Sequence, residues 1–308
     1  MAVIGATGFV GSAAARALDS RGASVARVTA PRLPPMRASE ATAYIESSPS
    51  QLGGLARELH GVDAVIHAAG LPDASSTDTA ALTAANAVLP GLVAAACVRA
   101  GVPRLVHVSS AAVQGRLPVL DDTDAADAFF DYAQSKLLGE RLARTFGEGS
   151  VVIYRPPGVH GVDRRVTRMV ARMAASPFAS MASPGTSPSP QALVDNVADA
   201  LAFLATTLRV PPATVTHPWE GLTTADVMEL LGGRAPRRLP RRVASTILAM
   251  LQAVGRLAPG FAAQARRLEM LWFGQAQAMS WLEQAGWSPT CGRAAWAELG
   301  RSIRGRTS

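Results

Sequence analysis

Gly5-Ala6-Thr7-Gly8-Phe9-Val10-Gly11, set between the apolar stretch Ala2 to Ile4 and a helical pattern from Phe9 to Ser20, decides the fold class of this chain. Glycines at this spacing let the backbone turn tightly after a strand and approach a pyrophosphate, whose charge then sits at the N-terminus of the following helix. Glycines between a strand and a helix also serve packing alone, so the loop gains its weight from what surrounds it.

Outward from the loop, short apolar runs alternate with helical patterns, the signature of βαβ units and a parallel sheet. Strands are expected at Ser24 to Thr29, Ala64 to Ala68, Arg104 to Ser109 and Ser150 to Arg155, with a weaker one at Thr42 to Glu46. Helices are expected at Gln51 to His60, Thr79 to Ala100 and Tyr132 to Thr145. Beyond Arg155 the pattern loosens. Ser176 to Pro190 holds four prolines and reads as a loop. Gln191 to Ala205 returns to an apolar helix, Thr214 to His217 reads as a strand, and from Thr223 onward the chain is mostly helical. The expected organisation is an α/β Rossmann-type, doubly wound parallel sheet over residues 1–156, to which 191–217 returns. A smaller, mainly helical C-terminal lobe takes 157–190 and 218–308.

With 308 residues, 48% hydrophobic and 17% charged, the chain has the composition of an ordinary folded protein. Two cysteines, Cys97 and Cys291, supply no disulfide framework, and no signal peptide is visible at MAVIGATG, so a cytoplasmic location is expected. No run reaches the roughly 18 apolar residues of a membrane span, and no transmembrane segment is expected. The net charge of +7 comes from scattered arginines without aromatic interleaving, which argues against nucleic acid. All but one of the thirty basic residues are arginine; the exception is Lys136. A position that keeps lysine against that background needs lysine.

Lys136 follows Tyr132 by four residues in Tyr132-Ala133-Gln134-Ser135-Lys136, which places phenol and ammonium on one helix face. A free tyrosine, with a pKa of about 10, exchanges protons poorly near neutral pH, and a nearby cation favours its phenolate. Ser109 and Ser110 end the strand Leu105 to Val108, where a parallel sheet binds ligands and a hydroxyl can bond a substrate carbonyl. The second strand ends Val28-Thr29-Ala30-Pro31-Arg32 without the carboxylate usual for NAD. Arg32 could pair with a 2′-phosphate, so NADP(H) is expected as the preferred cofactor and NAD(H) as the alternative.

Taken together these blocks resemble the short-chain dehydrogenase/reductase superfamily, extended type, over nearly the full chain. The resemblance also covers Asp63 to Gly70, Asn86, Val108 to Val113, Glu140, Arg155-Pro156-Pro157-Gly158-Val159 and Val194 to Ala198. It implies Ser110, with Ser109 as the lesser candidate, as the carbonyl-binding serine, Tyr132 as general acid/base, and Lys136 as holder of the nicotinamide ribose. It implies cofactor contacts at Gly5, Thr7, Gly8, Phe9, Val10, Gly11, Ala68, Ala69, Gly70, Asn86 and Pro157, and sets Glu46 near the family's adenine-contacting Asp.

Departures from the family patterns point to the substrate. Sugar-nucleotide 4,6-dehydratases carry an Asp-Glu pair after the serine, where this chain has Ala111-Ala112. Sugar-nucleotide epimerases usually carry R-x-x-N-V-Y-G, which here is Arg155-Pro156-Pro157-Gly158-Val159-His160-Gly161. R-P-P-G-V resembles instead members acting on hydroxysteroids and other apolar alcohols. The expectation is therefore a ketoreductase acting on a bulky apolar ketone, with Leu248, Met250, Leu251, Phe261, Met270, Leu271, Trp272 and Phe273 as a greasy cleft or as the core of a helical lobe. The alternatives are an NAD-dependent sugar-nucleotide epimerase and a non-catalytic NAD(P)-binding protein, as monomer or homodimer. The apolar run flanked by Arg241, Arg242 and Arg256 leaves a peripheral membrane face as a minor reading. Of the histidines, His60, His67, His107 and His217 read as structural, and His160 as either a packing or a substrate residue, with no metal-like spacing.

Overall fold

Six short apolar runs pair edge to edge into one sheet. Four are β1 (Ala2–Ile4), β2 (Ala26–Val28), β3 (Val65–His67) and β4 (Leu105–Val108), joined by Val151–Arg155 and Thr214–Thr216. All pairs are parallel, and the order across the sheet is Thr214–Thr216, Val151–Arg155, β4, β3, β1, β2. The chain is thus a Rossmann-like parallel sheet flanked by helices, as the alternating pattern predicts. The computed structural model describes residues 1–257 and 259–306, with backbone alone over 255–257 and 259–263.

After β1 the chain steps outward to β2 and then crosses to the other side of β1 for β3. Between β1 and β3, where the winding reverses, such sheets open a crevice for ligands. Register brings Ile4, His67 and His107 side by side, so the loops after three strands leave the sheet at one level. Helix α1 (Phe9–Ser20) and the helix Val194–Thr206 cover one face through Ala14, Leu18, Val197 and Leu201. The continuous helix Thr79–Ala100 covers the other with the help of Pro49–Glu58 and Asp131–Gly147. Thr79–Ala100 is, among the described residues, the one helix long and apolar enough to cross a membrane. It lies mostly buried in this core.

Two local expectations give way. Thr42 to Glu46 is the helix Ala41–Glu46 and not a strand, because Ala41 and Ile45, one turn apart, both bury against Ala84, Val88 and Leu142. The expected loop 176–190 holds the strand Ser180–Ala182, and Gln191–Leu193 is a strand ahead of its helix, paired in parallel with Gly158–His160. Three alternating residues were too few to show a period.

The helix Asp131–Gly147 meets Thr79–Ala100 where the latter widens into a π-turn at Ala84–Val88, with buried Asn86 inside it. Such turns recur at functional sites. A Cβ on Gly139 would stand 2.0 Å from the Asn86 carbonyl oxygen, so only glycine allows the two backbones this close. Gly139→Ala is expected to cost about 2 kcal/mol by forcing the helices apart. Urea unfolding measures it, and an unchanged midpoint would show that the contact is dispensable.

Candidate active site

The first side of the cleft is a backbone cradle. Gly5 sits at φ +88°, and a Cβ there would lie 2.6 Å from the Ala69 amide nitrogen, so the loops after β1 and β3 touch. Gly11 faces the Gly5 carbonyl so closely that a Cβ would reach it at 2.1 Å. The α1 N-terminus starts at Gly8 with no side-chain cap and no acid in its first turn, leaving its amides and positive end free for an anion. Thr7 and Gly8 are exposed there. A dinucleotide pyrophosphate fits this cradle, and the nicotinamide end would run towards Val10, Ala68, Ala69, Gly70 and Pro157, all of which line one cleft with a cavity volume of about 250 Å³.

Ser110, Tyr132 and Lys136 line the same cleft. The Ser110 hydroxyl lies close enough to the Tyr132 phenol to favour its anion, and it accepts from the Ala112 amide at 3.2 Å. Ser109 turns the other way and donates to Glu140 Oε1 at 2.5 Å. Of the two serines, Ser110 is the one beside the tyrosine. Lys136 is buried and donates to the Val108 carbonyl at 3.1 Å, close under Gly70, where a Cβ would meet Nζ at 3.5 Å.

Burial raises the Tyr132 pKa above its ordinary value, opposed by the Ser110 hydroxyl and by the charge of Arg164. Arg164 is thus a cation that acts on the phenol, while Lys136, one helical turn away, donates its ammonium to the Val108 carbonyl. Burial also lowers Lys136 from 10.5 to about 8, with Glu140 resisting. Arg164 lies over the Phe9 ring at 5.0 Å, and Phe9 in turn packs on Gly161.

Several expected residues play other parts. Asn86 does not line the cleft: its carboxamide donates to the Leu71 carbonyl at 3.0 Å and to Ser135 Oγ at 3.2 Å, and accepts from the Leu71 amide at 2.9 Å. It holds the loop after β3 over Lys136. Arg32 and Glu46 are exposed and outside the cleft. His67 and His107 stack as a buried pair, Nδ1 to Nδ1 at 3.0 Å, both kept neutral by burial. His217 bonds Tyr154 at 2.6 Å. His160 lines the cleft with its Nε2 on Gln191 Oε1 at 2.7 Å, and burial lowers it to about 4. Among the described residues no group of three metal-binding side chains forms.

The expected greasy cleft is largely core. Only Met270 and Leu271 of its eight residues line the cleft; Leu248 and Trp272 are buried elsewhere, Met250 is exposed, and the Phe261 side chain lies outside the described residues. Arginine stands where the apolar wall was expected. Arg164, Arg266 and Arg267 all line the cleft, which contains no Asp or Glu. Arg266 is occupied by the Gly115 carbonyl, Gln275 and Glu269. Arg164 and Arg267 are partly buried, repel each other, and form no ion pair among the described residues; Asp73 attracts Arg267 from a distance. Sequence reading passed over both because they are two arginines among twenty-nine.

A model of the NAD dependent epimerase/dehydratase family matches residues 1–214. Among solved structures the chain is similar to PA4631, a nucleoside-diphosphate-sugar epimerase from Pseudomonas aeruginosa, at 22% identity and TM-score 0.66, covering 99% of this chain and 97% of that one. The UDP-glucuronic acid 4-epimerase from Bacillus cereus, in complex with NAD, is similar at 17% identity and TM-score 0.66, covering 100% and 99%. TunA, an NAD-dependent NDP-hexosamine 5,6-dehydratase of tunicamycin biosynthesis, is 26% identical over 78% of this chain and 84% of its own, at TM-score 0.55. No curated protein matches the chain in sequence.

Lys136 gives a pH signature. Its folded pKa lies below the unfolded 10.5, so the folded state binds fewer protons between about pH 8 and 10.5. The cost of holding the ammonium is full below about pH 8, at a ceiling of about 3 kcal/mol, and fades as pH rises towards 10.5. Lys136→Met is therefore expected to melt several degrees higher than the parent at pH 7 while losing turnover, the gap closing by pH 10. A lower melting temperature at pH 7 would refute a costly buried ammonium.

Proposed function

Because the chain belongs to the NAD dependent epimerase/dehydratase family, we propose that it is an NAD-dependent epimerase of a nucleotide-linked sugar, oxidising and re-reducing one secondary alcohol through Ser110, Tyr132 and Lys136. The observation that carries this reading is the pair Arg164 and Arg267. Two guanidiniums partly withdrawn from water, with no carboxylate paired to either among the described residues, cost energy until an anion arrives. A diphosphate suits them, since planar forks bind phosphate oxygens in pairs. An apolar ketone would leave both unanswered.

Two further features support epimerisation. The usual asparagine of the R-x-x-N-V-Y-G block is Gly158, but a Cβ there would stand 2.2 Å from Gln191 Oε1. A carboxamide is thus delivered to that spot from the neighbouring strand and braced by His160. Ala111 and Ala112 border the cleft where a dehydratase would carry acids, and no carboxylate lines it among the described residues, so expulsion of a hydroxyl as water lacks its usual proton donor.

When bound along the glycine cradle, NAD supplies the place where hydride is held between oxidation and re-reduction. Tyr132 takes the proton from the sugar hydroxyl and later returns it, with Ser110 donating a hydrogen bond to the same oxygen. Lys136, at about 8 and close to Gly70, carries a positive charge at neutral pH beside the phenol. Arg164 holds the phenol towards its anion and faces the substrate as well. With hydride and proton both returned, the reaction is redox-neutral.

For the cofactor, the family description and the neighbour solved with NAD favour NAD over the NADP that Arg32 suggests. Arg32 is exposed beyond the end of β2, where any loop cation is content in water. Titration is expected to show NADH binding at least as tightly as NADPH. Tighter NADPH binding that Arg32→Ser abolishes would restore the NADP reading.

The substrate class is tested by product analysis with UDP-glucose and UDP-glucuronic acid. Tyr132→Phe should lower turnover by about a thousandfold while still binding NAD. Arg164→Ser should raise KM ten- to a hundredfold, roughly the loss of one charge-assisted hydrogen bond. Aryl-ketone reduction untouched by Arg164→Ser, without sugar-nucleotide turnover, would return the ketoreductase reading.

A further inference from the structure

The helix Arg241–Leu257 buries only part of its apolar surface. Ala244 and Leu248 face the lobe, whereas Val243, Ile247, Met250 and Val254, at helical spacing, form a stripe open to water. Val243 is 46% and Met250 64% exposed. An apolar row of this kind, bordered by polar residues, marks an interaction site.

Its border is cationic. Arg234, Arg237, Arg238, Arg241 and Arg242 are all exposed, and none forms an ion pair among the described residues. Between Glu229 and Glu269 the sequence contains no acid at all. A second segment reaches the same edge: Phe178 is 81% exposed and precedes Ala179, whose carbonyl accepts from the Arg237 amide at 2.8 Å.

We propose that this face docks on an anionic lipid bilayer, with the helix Arg241–Leu257 lying in the plane of the interface. Val243, Ile247, Met250 and Val254 enter the headgroup boundary, and the arginines meet lipid phosphates. A basic amphipathic helix binds in this way through apolar burial and charge together. Charge selects this occupant. A second copy would bring two acid-free arginine clusters face to face, and a nucleic acid would neutralise the arginines but leave the apolar stripe wet. The helix packs on Pro259–Phe273, which carries Arg267 and Met270 into the cleft, so docking sets the cleft near the bilayer. None of this depends on which substrate the cleft takes.

Co-sedimentation of the full chain with vesicles of phosphatidylcholine and phosphatidylglycerol in equal parts tests it. Binding is expected to these vesicles, to weaken in high salt, and to be absent with phosphatidylcholine alone. Arg238→Gln with Arg242→Gln should lower partitioning about twenty-five-fold, about fivefold for each arginine. Ile247→Asp with Met250→Asp should abolish it. Both pairs are surface changes, so circular dichroism and NADH binding should match the parent. Three results overturn the proposal: no phosphatidylglycerol-dependent binding, equal binding to phosphatidylcholine, or a solution dimer that Ile247→Asp with Met250→Asp dissolves.

Discussion

A carboxylate and a guanidinium sealed from water hold the helix Asp131–Gly147 in register. Arg155 grips Glu140 twice, Nε on Oε1 at 2.9 Å and Nη2 on Oε2 at 2.7 Å, and both side chains are fully buried. The pair pins the helix Asp131–Gly147 to the strand Val151–Arg155. Through Ser109 on Glu140, and Arg155 Nη1 on the Thr123 carbonyl at 2.9 Å, it also pins the end of β4 and the loop before the helix. Two desolvated ions contribute little net stability, yet stranding either costs about 3–5 kcal/mol. Its worth is positional. Tyr132 and Lys136 stand on the helix that Glu140 fixes, and Ser110 follows the serine that Glu140 engages.

How much of this the sequence discloses depends on the range over which each signal acts. The glycine cradle, the strand runs and Tyr132 to Lys136 are local patterns, and the parallel sheet and the meeting of Tyr132, Lys136 and the loop after β3 in one cleft read directly from them. Glu140 and Arg155 each stand in a recognisable block, but nothing in either shows that they form one pair. Gln191 is harder still: its meaning lies in the empty side of Gly158, visible only once two three-residue strands are paired. Read singly, Gly158 argues against a sugar-nucleotide substrate; read with Gln191, it does not. Arg164 and Arg267 are hidden by abundance, because an arginine carries little information in a chain where arginine has almost wholly replaced lysine. The apolar residues of the C-terminal lobe misled for the opposite reason. Helical stripes look alike whether they line a cleft or fill a core.

The cleft concentrates groups that burial disfavours. Lys136, His160, Arg164 and Arg267 are all pushed towards their neutral forms by loss of water. Such groups persist where chemistry needs them, since perturbed titration gathers at functional sites. The two sides of the cleft differ in how they receive charge. The side formed by the glycine cradle offers backbone amides and a helix end, fixed partial charges that need no rearrangement. The side lined by Arg164 and Arg267 offers whole cations on long side chains.

Lys136 makes the same point from the side of residue choice. Every other basic position has accepted arginine, so substitution pressure alone does not explain this one. Gly70 lies against its ammonium, and the Val108 carbonyl is the acceptor it uses. A guanidinium brings five donors in a rigid fork, and this pocket would leave several of them buried without partners. It would also stay charged throughout, whereas the ammonium, near 8, lies within reach of neutral pH and can respond to the charge of the phenol one turn away. The site therefore needs a compact cation whose charge is negotiable, and among the side chains only lysine supplies it at this length.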